Sequence, residues 1–342
     1  MLQILGQAAV AAGLLGRRAS AFTVTDEAAD VKMGREADAQ ILKEVGYYDG
    51  PEIQNYVNQI GQRVVAAGDM RFSFQFKVVN QTYVNAMALP GGFVYVTRGM
   101  LATLNDEAQL ACVLGHEATH VNSRHGAKLL TKALGAQLAT LVGIGAAAAV
   151  GRGSGAVAAA TISGHVTNYM LLGYGREYEQ EADEVGQRHA HRAGYDPRRM
   201  VEFLRLLRRK ERLTGQPLYH GLEASHPDTP IRIAKAETMA ELLVSEGGSA
   251  LLVKPDEYKA QLDGLAYGNM AERRVITIYT AQPGDTLATV ARSKLGADGS
   301  PYELASLNGL PDDAVLAPGT RLKLIVPRDD VNKTQELRLQ KE

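Results

Sequence analysis

Two histidines four residues apart constrain this chain of 342 residues more than any other feature of its sequence. His116 and His120 follow a good helix start, because Asn105 can cap a helix and Asp106 and Glu107 suit the positive end of its dipole. Residues four apart share one face of a helix, so the two imidazoles can bind one ion from a single rigid element. The spacing therefore predicts a metal site on a capped helix.

Glu117 projects about 100° round this helix from the first histidine. From there its carboxylate can take a proton from an attacking water, as the HExxH pattern requires. Zn²⁺ takes neutral histidine nitrogens in tetrahedral geometry, and a catalytic site keeps one position open, so a single Zn²⁺ ion needs a third protein ligand. Gly126 excludes the third histidine of metzincins, and His125 is expected to project away from the ligand face as a surface or structural histidine.

The third ligand is expected from the acidic segment at residues 176–183. Helical geometry places Glu179 and Asp183 on one face whose other members are all small: Ala182, Gly186, Ala190 and Ala193. Small residues let two helices approach closely, as a shared metal site requires, whereas Glu177 and Glu181 fall on the opposite face. We therefore predict Glu179 as the third ligand and Asp183 as the residue that orients a ligating histidine.

Periodicity along the rest of the chain predicts an α+β fold. The expected elements are two helices over residues 26–69 with a break at 48–51, a strand at 72–76, a hairpin at 84–96, and helices at 176–194, 198–213 and 229–246. A small C-terminal unit follows, with strand alternation at both ends.

The segment HEATH, the pair Arg124-His125 after it and the later segment GREYEQEADEVG resemble the gluzincin family of HtpX, BepA and the CAAX prenyl protease. The resemblance covers roughly residues 25–262. It implies a mainly helical, zincin-like metallopeptidase domain with a small antiparallel sheet. It also implies the same ligands and base as the helical geometry: His116, His120 and Glu179 on zinc, and Glu117 as the general base.

The same resemblance suggests where the substrate lies. It implies that a substrate-facing strand, which would hold an extended peptide by backbone pairing, is formed by Asn85, Ala86, Met87 and Ala88. It also puts a loop with His226-Pro227 near the metal. His226 is then either a fourth zinc ligand that keeps the resting enzyme latent, or a loop histidine that caps a backbone group or binds the transition-state oxygen.

Residues 275–327 resemble a LysM domain, on the segments AQPGDTL, LASLNGL and PGTRL. The expected unit is βααβ, with Asp285 capping its first helix and with three side chains packed inward: Leu287, Val290 and Ala291. The resemblance implies binding of N-acetylglucosamine chains such as those of peptidoglycan. A module that serves only for packing is the alternative.

Three further segments complete the expected organisation. Residues 1–24 include an apolar stretch followed by Ala19-Ser20-Ala21, and are either a signal peptide or an N-terminal helix. Residues 263–274 are expected to form a connector, and the charged residues 328–342 a disordered tail. The Ala- and Gly-rich stretch at 133–160 is interpreted as two close-packed helical pieces rather than a membrane span.

The net charge of -1 argues against a nucleic-acid partner, and the single cysteine, Cys112, excludes an internal disulfide. Without the membrane spans of HtpX, the chain resembles the soluble, exported BepA-like branch. We therefore expect a zinc metalloendopeptidase of the periplasm or cell envelope, rather than the cytoplasm, that cleaves misfolded or stalled envelope proteins in protein quality control.

Its expected partners are polypeptide substrates, peptidoglycan through residues 275–327, and outer-membrane assembly proteins. Two other functions stay open on the sequence: a chaperone-like or peptidoglycan-binding adaptor with little proteolysis, and a cell-wall amide hydrolase. An adaptor would keep its partners after loss of Glu117, and a cell-wall hydrolase would cut purified peptidoglycan.

Overall fold

The structure is a computed structural model that describes residues 25–129, 131, 174–214, 229–247 and 250–328. Expectations for residues 1–24, 133–160, His226 and 329–342 lie outside the described residues. Among the described residues, no helix is both long and apolar enough to cross a membrane.

The described chain is α+β, as expected, with its helices and strands in two groups. The first group contains α1 (Glu27–Val45), α2 (Pro51–Ala66), β1 (Gln75–Val79), β2 (Ala86–Leu89), β3 (Phe93–Thr97), α3 (Arg98–Thr103), α4 (Glu107–Asn122), α5 (Arg176–Arg192), α6 (Arg198–Thr214), α7 (Thr229–Ser245) and α8 (Pro255–Gln261). The second contains β4 (Ala266–Tyr267), β5 (Arg274–Thr280), α9 (Leu287–Leu295), α10 (Pro301–Leu307) and β6 (Arg321–Pro327).

The predicted break between the first two helices is confirmed. Asp26 caps α1 by accepting a hydrogen bond from the Ala29 N–H at 2.7 Å. Pro51 begins α2, where its fixed φ suits the first helical position and its missing N–H removes no helical hydrogen bond. The buried face of α2 carries apolar residues at helical spacing: Ile53, Val57, Ile60 and Val64.

The first sheet has the strand order β1-β3-β2. The predicted hairpin is confirmed as the antiparallel pair β2–β3, and it turns through Gly91 and Gly92, whose φ values of 78° and 108° favour glycine. The β1–β3 pair is parallel, so the small sheet is mixed. The chain reverses twice, once into β2 and once into β3, and β3 therefore runs in the direction of β1. The strand predicted at 72–76 begins only at Gln75.

Helix α4, which carries both histidines, is buried on every side from Glu107 to Val121. Its N-cap is Asp106, one residue later than predicted. The Asp106 carboxylate accepts a hydrogen bond from the Gln109 N–H at 2.8 Å, while the Gln109 side chain accepts one from the Asn105 N–H at 2.7 Å. These two hydrogen bonds, together with an ion pair between Arg199 and Asp106, hold Asp106 in the cap position.

The C-terminal unit is the expected βααβ fold, with β5 and β6 antiparallel. The helix α9 is capped by Thr286, which exchanges hydrogen bonds with Thr289, and not by Asp285 as expected. Asp285 instead accepts hydrogen bonds from the Gln282 N–H and the Tyr279 hydroxyl, both at 2.7 Å, and so closes the turn before the helix. The three side chains expected inside are buried: Leu287, Val290 and Ala291.

This unit packs directly on the first group of elements. Strand β4, within the segment expected to be a connector, pairs with β5, and Ile276 of β5 belongs to the main hydrophobic core. The Lys323 side chain is fully buried, and its ammonium donates hydrogen bonds to the carbonyl oxygens of Ala102 and Leu104, each at 2.7 Å. The two groups therefore share a core as well as polar contacts.

Candidate metal centre

Close packing of α4 on α5 creates the candidate centre. A Cβ atom on Gly186 would lie 2.6 Å from the His116 backbone nitrogen, and one on Gly115 would lie 2.8 Å from the Gly186 carbonyl oxygen. Neither position has room for a side chain, so the two backbones approach to a distance that only glycine allows. The small-residue face predicted for α5 is the face in contact with α4.

Three side chains converge at this contact. The Nε2 atoms of His116 and His120 lie 3.0 Å apart. The Glu179 carboxylate lies 3.6 Å from the first of these nitrogens and 3.4 Å from the second. All three residues are buried, and their donor atoms all lie within 4.8 Å of one another. No second cluster of this kind occurs among the residues that the structure describes.

The donor set fits a tetrahedral zinc ion. Zinc bonds of about 2.0–2.1 Å to nitrogen and oxygen give a tetrahedron with edges of about 3.3–3.4 Å. The two histidine nitrogens are 3.0 Å apart, Glu179 Oε2 is 3.6 Å from that of His116, and Glu179 Oε1 is 3.4 Å from that of His120, so each of these separations is close to that edge length. Two neutral imidazoles and one carboxylate also form the ligand set of catalytic zinc sites that keep a fourth position open.

Asp183 lies behind the first histidine. Its Oδ1 atom is 2.9 Å from His116 Nδ1, which is the position predicted for a residue that orients a ligand. Arg232 holds this carboxylate with two hydrogen bonds of 2.6 and 2.7 Å. Burial alone would raise the pKa of the Asp183 carboxyl, but the guanidinium and the histidine together hold that pKa below its ordinary value.

Arg232 is a site residue that the sequence analysis missed. Its guanidinium is almost fully buried and also lies 3.2 Å from the Glu179 carboxylate, so one cation faces two buried acids. A signal was present in α7, because Arg232 lies on the same helix face as three buried apolar residues: Ala236, Ala240 and Leu243. A single charge within an apolar face indicates a buried partner.

The expectation that His125 projects away from the ligand face was wrong. His125 is fully buried, and its Nδ1 atom lies 2.8 Å from Nδ1 of His120. The helix ends at Asn122, and Arg124 adopts a left-handed backbone with φ 55° that turns the chain back towards the site. Helical geometry continued past the helix end therefore placed His125 on the wrong side.

Two tyrosines enclose the histidines. The Tyr174 ring stacks on His120 with centroids 3.9 Å apart, and the Tyr178 ring stacks on His125 at 4.5 Å. Burial, reinforced by the negative charges of Glu117 and Glu179, raises the pKa of the Tyr174 hydroxyl. This hydroxyl therefore stays neutral at physiological pH.

The acidic residues of α5 separate as helical geometry predicts. The Glu179 side chain is completely buried, whereas Glu177 is exposed and the Glu181 side chain keeps 41% of its exposure. Glu117, on α4, is fully buried in the same region.

The predicted substrate strand and His120 line the same narrow crevice. Residues 86–89 form β2, an edge strand of its sheet, and Asn85 precedes it with its carbonyl accepting from the Thr97 N–H. A narrow crevice joins the end of this strand to the site, and its lining includes Ala88, Leu89, His120 and Tyr174.

Two histidines of one helix and a carboxylate of a second, buried together, define a metallopeptidase of the HExxH class. The chain belongs to Peptidase family M48, whose profile matches residues 51–240. A LysM domain follows, matched over residues 279–324. The protein is therefore a metalloendopeptidase with a C-terminal LysM domain, and the family resemblance noted in the sequence is confirmed.

Curated relatives support this assignment. The chain is 31% identical over 196 residues to a beta-barrel assembly-enhancing protease of Yersinia pestis, covering 56% of this chain and 40% of that protein. The protein of the same name from Escherichia coli K12 is 28% identical over 214 residues, covering 62% of this chain and 44% of its own length. The mitochondrial metalloendopeptidase OMA1 of Schizosaccharomyces pombe is 28% identical over 215 residues, covering 60% of this chain and 59% of that protein. The chain thus spans less than half the length of the two bacterial relatives.

Proposed function

We propose that the chain is a zinc-dependent endopeptidase in which His116, His120 and Glu179 bind one Zn²⁺ ion and Glu117 is the general base. The convergence of three buried ligand groups carries this proposal, because their donor atoms lie within 4.8 Å of one another and two imidazoles with one carboxylate are a ligand set of catalytic zinc. Asp183 and Arg232 would hold the first histidine and the carboxylate ligand in place from behind.

The reaction would divide between the ion and the protein. A bound zinc ion would supply Lewis acidity towards the scissile carbonyl and the attacking water. Glu117 would accept the proton of the water and later donate it to the leaving amine, a role open to a carboxylate within reach of both. Its complete burial excludes bulk water from this transfer.

The substrate would bind as an extended peptide along β2. An edge strand offers unpaired backbone groups to a partner strand, and this mode of binding accepts many side-chain sequences. The crevice beside Ala88 and Leu89 leads towards His120, so a peptide paired with residues 85–88 would bring its backbone close to the candidate centre. This arrangement supports cleavage of unfolded polypeptides of varied sequence.

We also propose the biological setting. Relatives named beta-barrel assembly-enhancing proteases support a role in the periplasm or cell envelope, with misfolded or stalled envelope proteins as substrates and outer-membrane assembly proteins as partners. The LysM domain supports attachment to peptidoglycan through residues 275–327. The proposed boundaries are a signal peptide or helix at 1–24, a peptidase domain at 25–262, a short connector and a tail after 327.

Metal analysis together with protease assays tests this function. The purified protein should contain one zinc ion per chain and cleave casein or an unfolded outer-membrane protein. A chelator should abolish cleavage, and added Zn²⁺ should restore it. Purified peptidoglycan as a second substrate distinguishes the alternatives, because a cell-wall hydrolase would release soluble fragments from it. A protein that binds no metal and cleaves neither substrate would contradict the proposal and favour an adaptor.

The role of His226 is also a proposal, and its two alternatives predict opposite effects of a substitution on peptide cleavage. As a fourth ligand that keeps the enzyme latent, its replacement in His226→Ala should raise basal casein cleavage. As a donor to the transition state, the same change should lower cleavage. The rate of the variant relative to the wild type therefore decides between the two roles.

A further inference from the structure

We infer that His125 and Glu181 are positioning residues for His120, and that they set its tautomer and ring orientation towards the metal. This inference rests on the proposed zinc site. It gives the second histidine ligand a support that differs in chemistry from the Asp183–Arg232 pair behind the first.

The contacts allow one consistent arrangement of protons. The two Nδ1 atoms of His120 and His125 are 2.8 Å apart, so one of them must donate a hydrogen bond and the other accept it. If His120 uses Nε2 for the metal, its proton lies on Nδ1, and His125 Nδ1 is then the acceptor. His125 consequently carries its own proton on Nε2.

That second proton faces a carboxylate. His125 Nε2 lies 3.3 Å from Glu181 Oε2, and the other Glu181 oxygen accepts a hydrogen bond from the Ser123 hydroxyl at 2.6 Å. The Ser123–Glu181 and His125–His120 contacts are hydrogen bonds, whereas Glu181 acts on His125 Nε2 as a nearby negative charge at ion-pair distance. Glu181, which cannot reach the metal from its face of α5, contributes through His125.

The backbone around His125 is built to hold this position. Arg124 occupies the left-handed region, which is uncommon for a residue with a side chain. Its guanidinium compensates by donating to the buried Asp30 carboxylate at 2.6 Å and to the Thr25 carbonyl at 2.5 Å. The Tyr178 ring stacks on the His125 ring. Contacts from α1 and α5 thus hold a residue that follows α4.

Two substitutions at this position separate hydrogen bonding from packing. His125→Phe keeps an aromatic ring against Tyr178 but removes the acceptor. His125→Asn retains a side-chain oxygen near the place of Nδ1. Loss of a partner behind a ligating histidine weakens metal affinity by about 10–100-fold. We expect a loss in this range for the phenylalanine variant and recovery of most of the affinity for the asparagine variant.

The experiment measures zinc affinity by chelator competition and the visible absorption of the Co²⁺-loaded protein. The cobalt spectrum should change in His125→Phe, because the ring orientation of His120 changes the ligand field. Glu181→Gln should weaken zinc binding by less than His125→Phe does. Glu177→Gln, on an exposed position of the same helix, is the matched control and should leave both measurements unchanged.

The outcomes also separate this inference from the proposed function. Equal zinc affinity and an unchanged cobalt spectrum in His125→Phe would overturn the inference while leaving the zinc site intact. Equal losses in the phenylalanine and asparagine variants would show a packing role only and would also overturn it. A wild-type protein that binds no zinc would remove both. If His125→Phe fails to fold, the comparison of Glu181→Gln with Glu177→Gln still decides, because the first should bind zinc more weakly than the second, and equal affinities would overturn the inference.

Discussion

Two buried interfaces in this protein use polar groups in different ways. Where α4 packs on α5, glycines bring the backbones together and leave a set of ionisable side chains inside, with Arg232 facing the carboxylates of Asp183 and Glu179. Where the LysM domain packs on the peptidase domain, the buried Lys323 ammonium donates hydrogen bonds to the backbone carbonyl oxygens of Ala102 and Leu104. We call the second contact the docking interface and include in it Gly309, which lies against Asn105.

The difference shows which polar contacts serve chemistry. At the α4–α5 contact, the charged groups are arranged around three buried side chains whose donor atoms lie within 4.8 Å of one another and could hold one metal ion. At the docking interface, the carbonyl oxygens of Ala102 and Leu104 accept hydrogen bonds directly from the buried Lys323 ammonium. The docking interface therefore holds two domains together, whereas the α4–α5 contact builds a site.

The two interfaces are also neighbours along the chain. Leu104 and Asn105, which contact the LysM domain, immediately precede Asp106, the cap of the helix that carries both histidines. The LysM domain is therefore held at the start of α4 rather than on a free linker. A ligand bound to the LysM domain would lie in a constant orientation relative to the candidate centre.

The largest expected effect belongs to Glu117, which the proposed mechanism makes the general base and not a metal ligand. Glu117→Gln should lower peptide cleavage by about 10²–10⁴-fold, because the amide cannot accept the proton of the attacking water. Zinc content should stay at the wild-type level in the same preparation. Cleavage at the wild-type rate would show that another group is the base.

Removal of a ligand should sharpen the contrast among the acids of α5. Glu179→Ala should weaken zinc binding by more than the roughly 100-fold that a supporting residue contributes, because it deletes a donor atom. Glu177→Ala should bind zinc as the wild type does, and Glu181→Ala should still bind one ion with reduced affinity. An empty site in Glu181→Ala would show that the face assigned to the metal is wrong.

Replacement of the buried Arg232 tests whether positive and negative charges are balanced at the α4–α5 contact. Arg232→Met leaves two buried carboxylates without their guanidinium and should destabilise the metal-free protein by about 3–5 kcal/mol. Zinc should restore part of this loss, because it supplies a cation to Glu179. Denaturant unfolding with and without zinc measures both effects.

The matched control for Arg232 is an arginine in an exposed ion pair. Arg205 bonds to Glu237 on the surface, and Arg205→Met should change the free energy of unfolding by about 0–1 kcal/mol. Similar effects of the two substitutions would contradict the interpretation of the α4–α5 contact as a charge-balanced interior.

The docking interface should show a smaller effect. Lys323→Met leaves two buried carbonyl oxygens without this donor and should destabilise the protein by about 1–3 kcal/mol. Zinc affinity should not change. Differential scanning calorimetry should resolve separate transitions for the two domains in the variant, and Arg292→Met, at an exposed position of α9, should behave as the wild type does. A single unshifted transition in Lys323→Met would show that the docking contact contributes little.

The prediction of the candidate ligands from the sequence rests on local geometry. The HExxH spacing orients two histidines on any α-helix, and the small-residue face of α5 distinguishes Glu179 from Glu177 and Glu181 without knowledge of the partner helix. Local prediction failed where a helix ended. His125 lies past the end of α4, and its position depends on the Arg124 turn and on contacts with Asp30.

The caps of α4 and α9 show the same limit on a smaller scale. The residue types indicated the start of each helix to within one residue. Asp106 became the cap of α4 because it accepts from the Gln109 N–H, and Thr286 became the cap of α9 because it exchanges hydrogen bonds with Thr289. Several side chains near a helix start can cap it, and only the hydrogen bonds that form decide which one does.

By itself, the sequence determined most of the helices and strands, the presence of two domains, and which residues share a face of each helix. The reason is that the 3.6-residue and two-residue periodicities are properties of the local backbone. Only the tertiary structure decided that β1 runs parallel to β3, that Arg232 faces both Asp183 and Glu179, and that Lys323 reaches the carbonyls before α4. These contacts join residues from about 20 to more than 200 positions apart. Their formation depends on how whole elements pack to satisfy buried charges and hydrogen-bonding groups, which no local pattern in the chain specifies.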